Sequence, residues 1–152
     1  MSSIFYLPRR LTSDGKTYTE SALLAAENYV VILAEPGGGK TELMDSLAHQ
    51  LSTTAVTASK FSYVGAKTQD CPLVIDAFDE LAKVEASGIY KLLSQAEAAN
   101  PTHVYISSRS SEWDGAATNA FKEFLGHLPI VVRLCEFDQS EQREIFEYHA
   151  PD

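Results

Sequence analysis

Tyr29-Val30-Val31-Ile32-Leu33-Ala34-Glu35-Pro36-Gly37-Gly38-Gly39-Lys40-Thr41 decides the fold of this chain. An apolar run suited to a strand buried on both faces leads into three glycines, a lysine and a threonine. Beyond them Leu43, Met44, Leu47, Ala48 and Leu51 recur at helical spacing. Strand, glycine loop and helix in that order read as a phosphate-binding loop. To wrap a β-phosphate, several backbone N–H groups must turn inward together, and Gly37, Gly38 and Gly39 remove the side chains that would prevent it. The following helix aims its positive end at the same anion. Lys40 is expected to reach the β- and γ-phosphates and the Thr41 hydroxyl to ligate Mg²⁺, with Pro36 and Glu42 completing the nucleotide-binding stretch. Ala34 stands where the strict pattern has glycine, a small change because alanine also opens such loops. The ligand implied is a nucleoside triphosphate, ATP or GTP.

Composition limits the partners. A chain of 152 residues, 45% of them hydrophobic, is long enough for one compact core and short for two. Its formal charge of −9 opposes a broad nucleic-acid surface, which needs clustered Lys and Arg to displace phosphate counterions. Cys71 and Cys135 read as small core residues of a reducing compartment, without metal-ligand spacing and not as a disulfide. Neither a signal peptide nor an apolar run of membrane-spanning length is visible, so no membrane partner is expected and the cytoplasm is the natural compartment.

The rest of the chain alternates strand and helix. Strands are expected at 29–33, 54–58, 73–75, 104–107 and 130–134. Helices are expected at 20–27, at 41–51, around Ile89, Leu92, Leu93 and Ala96, and around Ala117, Ala120, Phe121, Phe124 and Leu128. Continuously apolar strands in this rhythm predict an α/β fold: a three-layer α/β/α sandwich on a mainly parallel sheet of about five strands. Residues 1–28 read as an N-terminal arm and short helix, the arm lying beside the nucleotide. Residues 29–137 read as the core. Residues 138–152 read as the start of a helical segment that continues in a longer protein. Within the arm, Ser13-Asp14-Gly15-Lys16 is a turn signal, and Arg9-Arg10 reads as a solvated pair, contact with phosphate or with a neighbouring subunit being the other reading. His49 and His127 read as helix-surface residues, His103 precedes a strand, and no histidine pair has zinc-ligand spacing.

Leu73-Val74-Ile75-Asp76-Ala77-Phe78-Asp79-Glu80-Leu81 is the second motif. A carboxylate at the carboxyl end of a buried parallel strand lies at the crevice where α/β sheets bind ligands, so Asp76 is placed to hold Mg²⁺ through its water shell. Asp79 or Glu80 is then the candidate to polarise an attacking water, the alternative being acids that cap the next helix or stay solvated. Ile106-Ser107-Ser108-Arg109 ends the next strand. Arg109 is expected to donate to the γ-phosphate, an ion pair with a nearby carboxylate being the other reading. Trp113 reads either as a stacking group near the site or as the anchor of the loop after Arg109.

Together, the loop at 34–41, the run Asp76-Ala77-Phe78-Asp79-Glu80-Leu81, and Ser108-Arg109-Ser110-Ser111-Glu112-Trp113 resemble the NACHT family of STAND ATPases, most of all its bacterial members. In that family a small residue follows the first aspartate and acids stand three positions on, as Ala77, Asp79 and Glu80 do. The resemblance implies an ATP-driven switch built from Lys40, Thr41, Asp76, Asp79 or Glu80, and Arg109 around Mg-ATP. It implies self-association of the full-length protein when activated, in signalling or antiphage defence, with turnover that is slow or absent in the isolated chain. Ala77 stands where glycine is commoner, and the helical, winged-helix and sensor regions of the family are missing from the sequence. Two other classes remain open. An AAA+-like loader or motor would be expected to carry glutamate directly after Asp76. A small-molecule or nucleotide kinase would need clustered arginines, but Arg109, Arg133 and Arg143 are scattered.

Overall fold

A computed structural model describes residues 8–35, 39–135 and Arg143. The chain begins with a hairpin, β1 (Arg10–Ser13) and β2 (Lys16–Thr19), then α1 (Glu20–Ala26), β3 (Tyr29–Leu33), α2 (Lys40–Gln50), β4 (Val56–Thr57) and α3 (Ala58–Val64). It continues with β5 (Leu73–Asp76), α4 (Phe78–Val84), α5 (Gly88–Ala99), β6 (Val104–Ser108), a 3-10 turn (Ser110–Glu112), α6 (Gly115–Leu125) and β7 (Ile130–Leu134).

One seven-stranded sheet runs in the order β2-β1-β7-β3-β6-β5-β4. From β7 to β4 every pairing is parallel, and the hairpin adds an antiparallel edge through Leu11 opposite Leu134 and Thr12 opposite Arg133. The α/β class and mainly parallel sheet are those expected, and the hairpin supplies the two strands beyond five. Its turn is Asp14-Gly15, both residues at positive φ (48° and 81°), as a two-residue loop matched to strand twist requires.

Alternation along the strands builds two cores, one on each face. Val31, Leu33, Leu73, Ile75, Val104 and Ile106 face α3, α4, α5 and α6, meeting Phe61, Leu81, Leu92, Leu93 and Phe121. Val30, Ile32, Val74, Tyr105 and Val132 face the other way, toward Leu23 of α1, Leu43, Met44 and Leu47 of α2, and Leu11 and Tyr18 of the hairpin. Each fully buried aliphatic side chain contributes about 1.5–3 kcal/mol relative to exposure, so both helix layers are held firmly to the sheet. Tyr105 crosses its layer to donate to the carbonyls of Glu27 (2.6 Å) and Leu23 (3.3 Å), fixing the end of α1. Burial, reinforced by the Glu27 charge, raises its pKa well above the ordinary tyrosine value.

Several expectations are corrected. The strand at 54–58 shrinks to Val56–Thr57, because the Thr57 hydroxyl caps α3 by accepting from Lys60 N (3.3 Å) and Ala58 already belongs to that helix. The last helix stops at Leu125, where Gly126 (φ 81°) turns the chain away. Cys71 and Cys135 are half-exposed free thiols, not core residues. His127, expected at the surface, is exposed as read and stacks on Tyr29, ring centroids 4.9 Å apart. The helical segment expected at 138–152 lies outside the described residues, Arg143 apart. Among the described residues, no helix is long and apolar enough to cross a membrane.

Candidate functional site

Sheet order makes the site. Because β6 lies between β3 and β5, the segment leaving β6 is seated between the end of β3 and the acidic motif. Ile75 pairs with Ile106, so the next residue on each strand, Asp76 and Ser107, meet at the strand tips. Ser107, fully buried, donates from Oγ to Asp76 Oδ1 and accepts from the backbone N–H of Ala77 (2.9 Å). Asp76 Oδ2 accepts from Thr41 Oγ1 at 2.9 Å, joining the acidic motif to the first turn of α2. A hydroxyl beside a carboxylate is a hard-oxygen pair of the kind Mg²⁺ takes when phosphates and water supply its other ligands. No group of three or more His, Cys, Asp and Glu side chains able to hold a metal occurs among the described residues, so a cation here would depend on such outside oxygens.

Ala77 turns the chain in the left-handed region (φ 62°, ψ 46°), a conformation that costs a non-glycine residue about 1 kcal/mol. That turn starts α4 at Phe78 and puts Asp79 in its first turn facing the loop. Asp79 is buried: Oδ1 accepts from Lys40 Nζ (2.7 Å) and Oδ2 lies 3.4 Å from Arg109 Nε. One carboxylate thus holds two cations that come from different strand tips. Such a buried carboxylate is tolerated only because both partners neutralise it. Lys40, Thr41, Asp76, Asp79 and Arg109 therefore converge, whereas Glu42 and Glu80 are exposed and take no part in these contacts. Pro36, Gly37 and Gly38 lie outside the described residues.

Gly39 (φ 81°) begins α2 without a side-chain cap for that helix's first N–H groups. A Cβ at Gly39 would stand 2.8 Å from Arg9 NH1. Arg9 is therefore not half of a solvated pair: it is buried against the loop, its NH2 donating to Cys135 O (2.7 Å) and its backbone N–H to Glu20 Oε2 (2.7 Å). Glu20, also buried, accepts through Oε1 from Ser46 Oγ (2.7 Å) and Gln50 Nε2 (3.0 Å) on α2. The arm is thus fastened to the helix that follows the glycine loop. Sequence reading missed Arg9 and Glu20 because an arginine in an irregular arm and an acid in a helix's first turn both pass for solvated residues; neither carries a local signal of burial.

The rim is joined as well. Ser110 Oγ donates to Glu35 Oε1 and accepts from Arg133 NH1 (3.0 Å), a contact that spans the ends of β3, β6 and β7. Trp113 is buried, donates from Nε1 to Thr118 Oγ1 (2.9 Å) and packs edge-on to Phe78, centroids 5.3 Å apart. It anchors the segment after Arg109 to the helix that carries Asp79.

This arrangement of strands has a counterpart among solved structures. The fold is shared with DnaA. The structure of AMPPCP-bound DnaA from Aquifex aeolicus superposes with a TM-score of 0.56 and 15% identity over 88% of this chain and 50% of that one. The cytoplasmic domain of EssC superposes at a TM-score of 0.37 and 12% identity, over 91% of this chain and 39% of that one. This chain thus spans half the length of the DnaA chain it matches. No protein-family model matches the chain, and no curated protein matches it.

Proposed function

We propose that this chain binds a nucleoside triphosphate with Mg²⁺ and hydrolyses it slowly, as the regulatory ATPase core of a NACHT-type STAND switch. The observation that carries the reading is the convergence of Lys40 and Arg109 on Asp79 beside the Thr41–Asp76 pair, at the uncapped start of α2. Two cations, a hydroxyl, a carboxylate and a helix start without a side-chain cap suit a polyanion that brings a divalent cation with it. The fold shared with DnaA, seen there with AMPPCP, supports a nucleotide of this class.

In this reading the Gly39 end of the loop and the α2 N–H groups hold the β-phosphate, and Lys40 leaves Asp79 to reach the β- and γ-oxygens. Thr41 and Asp76 would hold Mg²⁺ with their hydroxyl and carboxylate oxygens. The cation, when bound, neutralises charge on the terminal phosphoryl group. Asp79, relieved of Lys40, becomes free to accept a proton from a water, and Arg109 can turn from Asp79 to the γ-phosphate. Arg9 approaches the same loop from the β7 side, opposite to Asp79. A triphosphate and a diphosphate would then leave Asp79 and Arg109 differently paired, which is the physical content of a switch. Ala77 in the place of a glutamate beside Asp76 favours this over an AAA+-like motor. Self-association on activation, a role in signalling or defence, a cytoplasmic location and a helical continuation from residue 138 onward belong to the same proposal.

The test is equilibrium binding of Mg-AMPPCP by calorimetry. Binding by the wild type that Lys40→Ala abolishes is the expected result, and a wild type that binds no nucleoside triphosphate overturns the reading. Denaturing freshly purified protein and identifying any released nucleotide separates ATP from GTP.

A further inference from the structure

The geometry points to Ser107 as the positioning residue that sets which Asp76 oxygen faces the cation. This inference rests on the nucleotide reading and deepens it. Ser107 is 0% exposed at the tip of β6, the strand interposed between the two motifs, and its hydroxyl is used twice. As donor it holds Asp76 Oδ1; as acceptor it takes the N–H of Ala77 at 2.9 Å.

Each contact has a separate consequence. A hydroxyl has one proton, so while that proton is engaged with Oδ1 the carboxylate plane is fixed and Oδ2 is left to Thr41 at 2.9 Å. Asp76 therefore presents one defined oxygen to the place where Thr41 would hold Mg²⁺, and the rotation of a lone carboxylate is removed before any ligand arrives. The second contact anchors the strained left-handed turn at Ala77, whose N–H would otherwise be buried without this acceptor. The direction of α4, and with it Asp79, is set by that turn. One hydroxyl thus aligns the metal-side acid directly and the Lys40-side acid through the backbone. Ser107 touches neither cation nor nucleotide in this account; it acts through Asp76 and Ala77.

The discriminating experiment measures AMPPCP affinity with Mg²⁺ and with EDTA, and takes the ratio as the magnesium gain. Ser107→Ala is expected to lower that gain about tenfold, the size of a lost hydrogen bond to a charged group, while affinity in EDTA, set by Lys40 and the loop, stays within about twofold of wild type. Equal losses with and without the metal would mark a merely structural role and overturn the inference, as would an unchanged gain. Ser107→Cys is close to serine in size and keeps the strand packed if the alanine variant misfolds; its weak donor should lower the gain similarly, and a full gain there also overturns the inference. Ser107→Thr, which restores the hydroxyl, should recover the gain. Without any nucleotide, exchange of the Ala77 amide with solvent deuterium should quicken in Ser107→Ala, and unaltered exchange counts against the backbone arm of the inference. A wild type that fails to bind AMPPCP in either condition overturns the nucleotide reading itself and this inference with it.

Discussion

The two flanks of the glycine loop are built on different principles. On the β5–β6 flank, Asp76, Asp79, Ser107, Lys40, Thr41 and Arg109 exchange contacts with one another only a few residues from strand tips. On the β7 flank, Arg9 and Glu20 come from a hairpin arm and the start of α1; the Arg9 backbone N–H meets the Glu20 carboxylate, and further contacts run to Cys135, Ser46 and Gln50. The first flank offers exchangeable partners; the second offers fastenings. Chemistry that changes with the ligand therefore belongs on the first flank, and loss of the second should be felt as stability.

Substitutions can break this contrast. The largest effect is expected from Lys40→Ala, which should weaken triphosphate binding by more than about 100-fold by calorimetry, since it removes a charge-assisted contact from a partly desolvated site. Next, if Asp79 is the base of the proposed reaction, Asp79→Asn should spare binding yet slow hydrolysis by about 100-fold, the lower end for a lost general base, while exposed Glu80→Gln should change turnover less than about twofold. Equal losses from both, read as phosphate release in a protein competent to hydrolyse, would remove the distinction between the buried and the exposed acid. On the other flank, Glu20→Ala strands the Arg9 N–H and removes an acceptor from Ser46 and Gln50, which keep each other, and should cost about 2 kcal/mol in denaturant unfolding. Tyr105→Phe, which frees the end of α1, should cost about 1 kcal/mol by the same measurement. The smallest effect concerns His103, whose half-burial lowers its pKa below the ordinary 6.5. The unfolded chain binds that proton more readily, so its contribution is present above about pH 6.5 and is lost as pH falls through the lowered value. The denaturation midpoint should drop slightly less between pH 7.5 and 5.5 in His103→Gln than in the wild type.

How far the sequence could be read follows the same division. Strand, glycines and helix at 29–51 are local signals, and the acid ending β5 and the arginine after β6 sit in short runs whose meaning needs only their neighbours. The hairpin was half legible: Asp14-Gly15 marks its turn, but each strand has four residues and buries only Leu11 or Tyr18, too few for an alternation to stand out. Its partner, β7, is at the far end of the chain, and pairing across such a distance leaves no local pattern. Helix α3 escaped for a different reason. Its seven residues hold few large apolar groups, although Thr57 as N-cap and Gly65 (φ 67°) as terminator were available as signals. Ser107 passed for an ordinary strand serine because its importance comes from sheet order, with β6 between β3 and β5, and composition does not encode that order.

The edge-on contact between Phe78 and Trp113 has a mechanical meaning. Phe78 precedes Asp79 and begins its helix, while Trp113 closes the turn that leaves Arg109, so two rings outside the crevice couple the carriers of the acid and the arginine. Displacing either carrier would press on the other through this ring contact. An influence that tilts α4 from its outer side would thus bear on the segment after Arg109 as well as on Asp79.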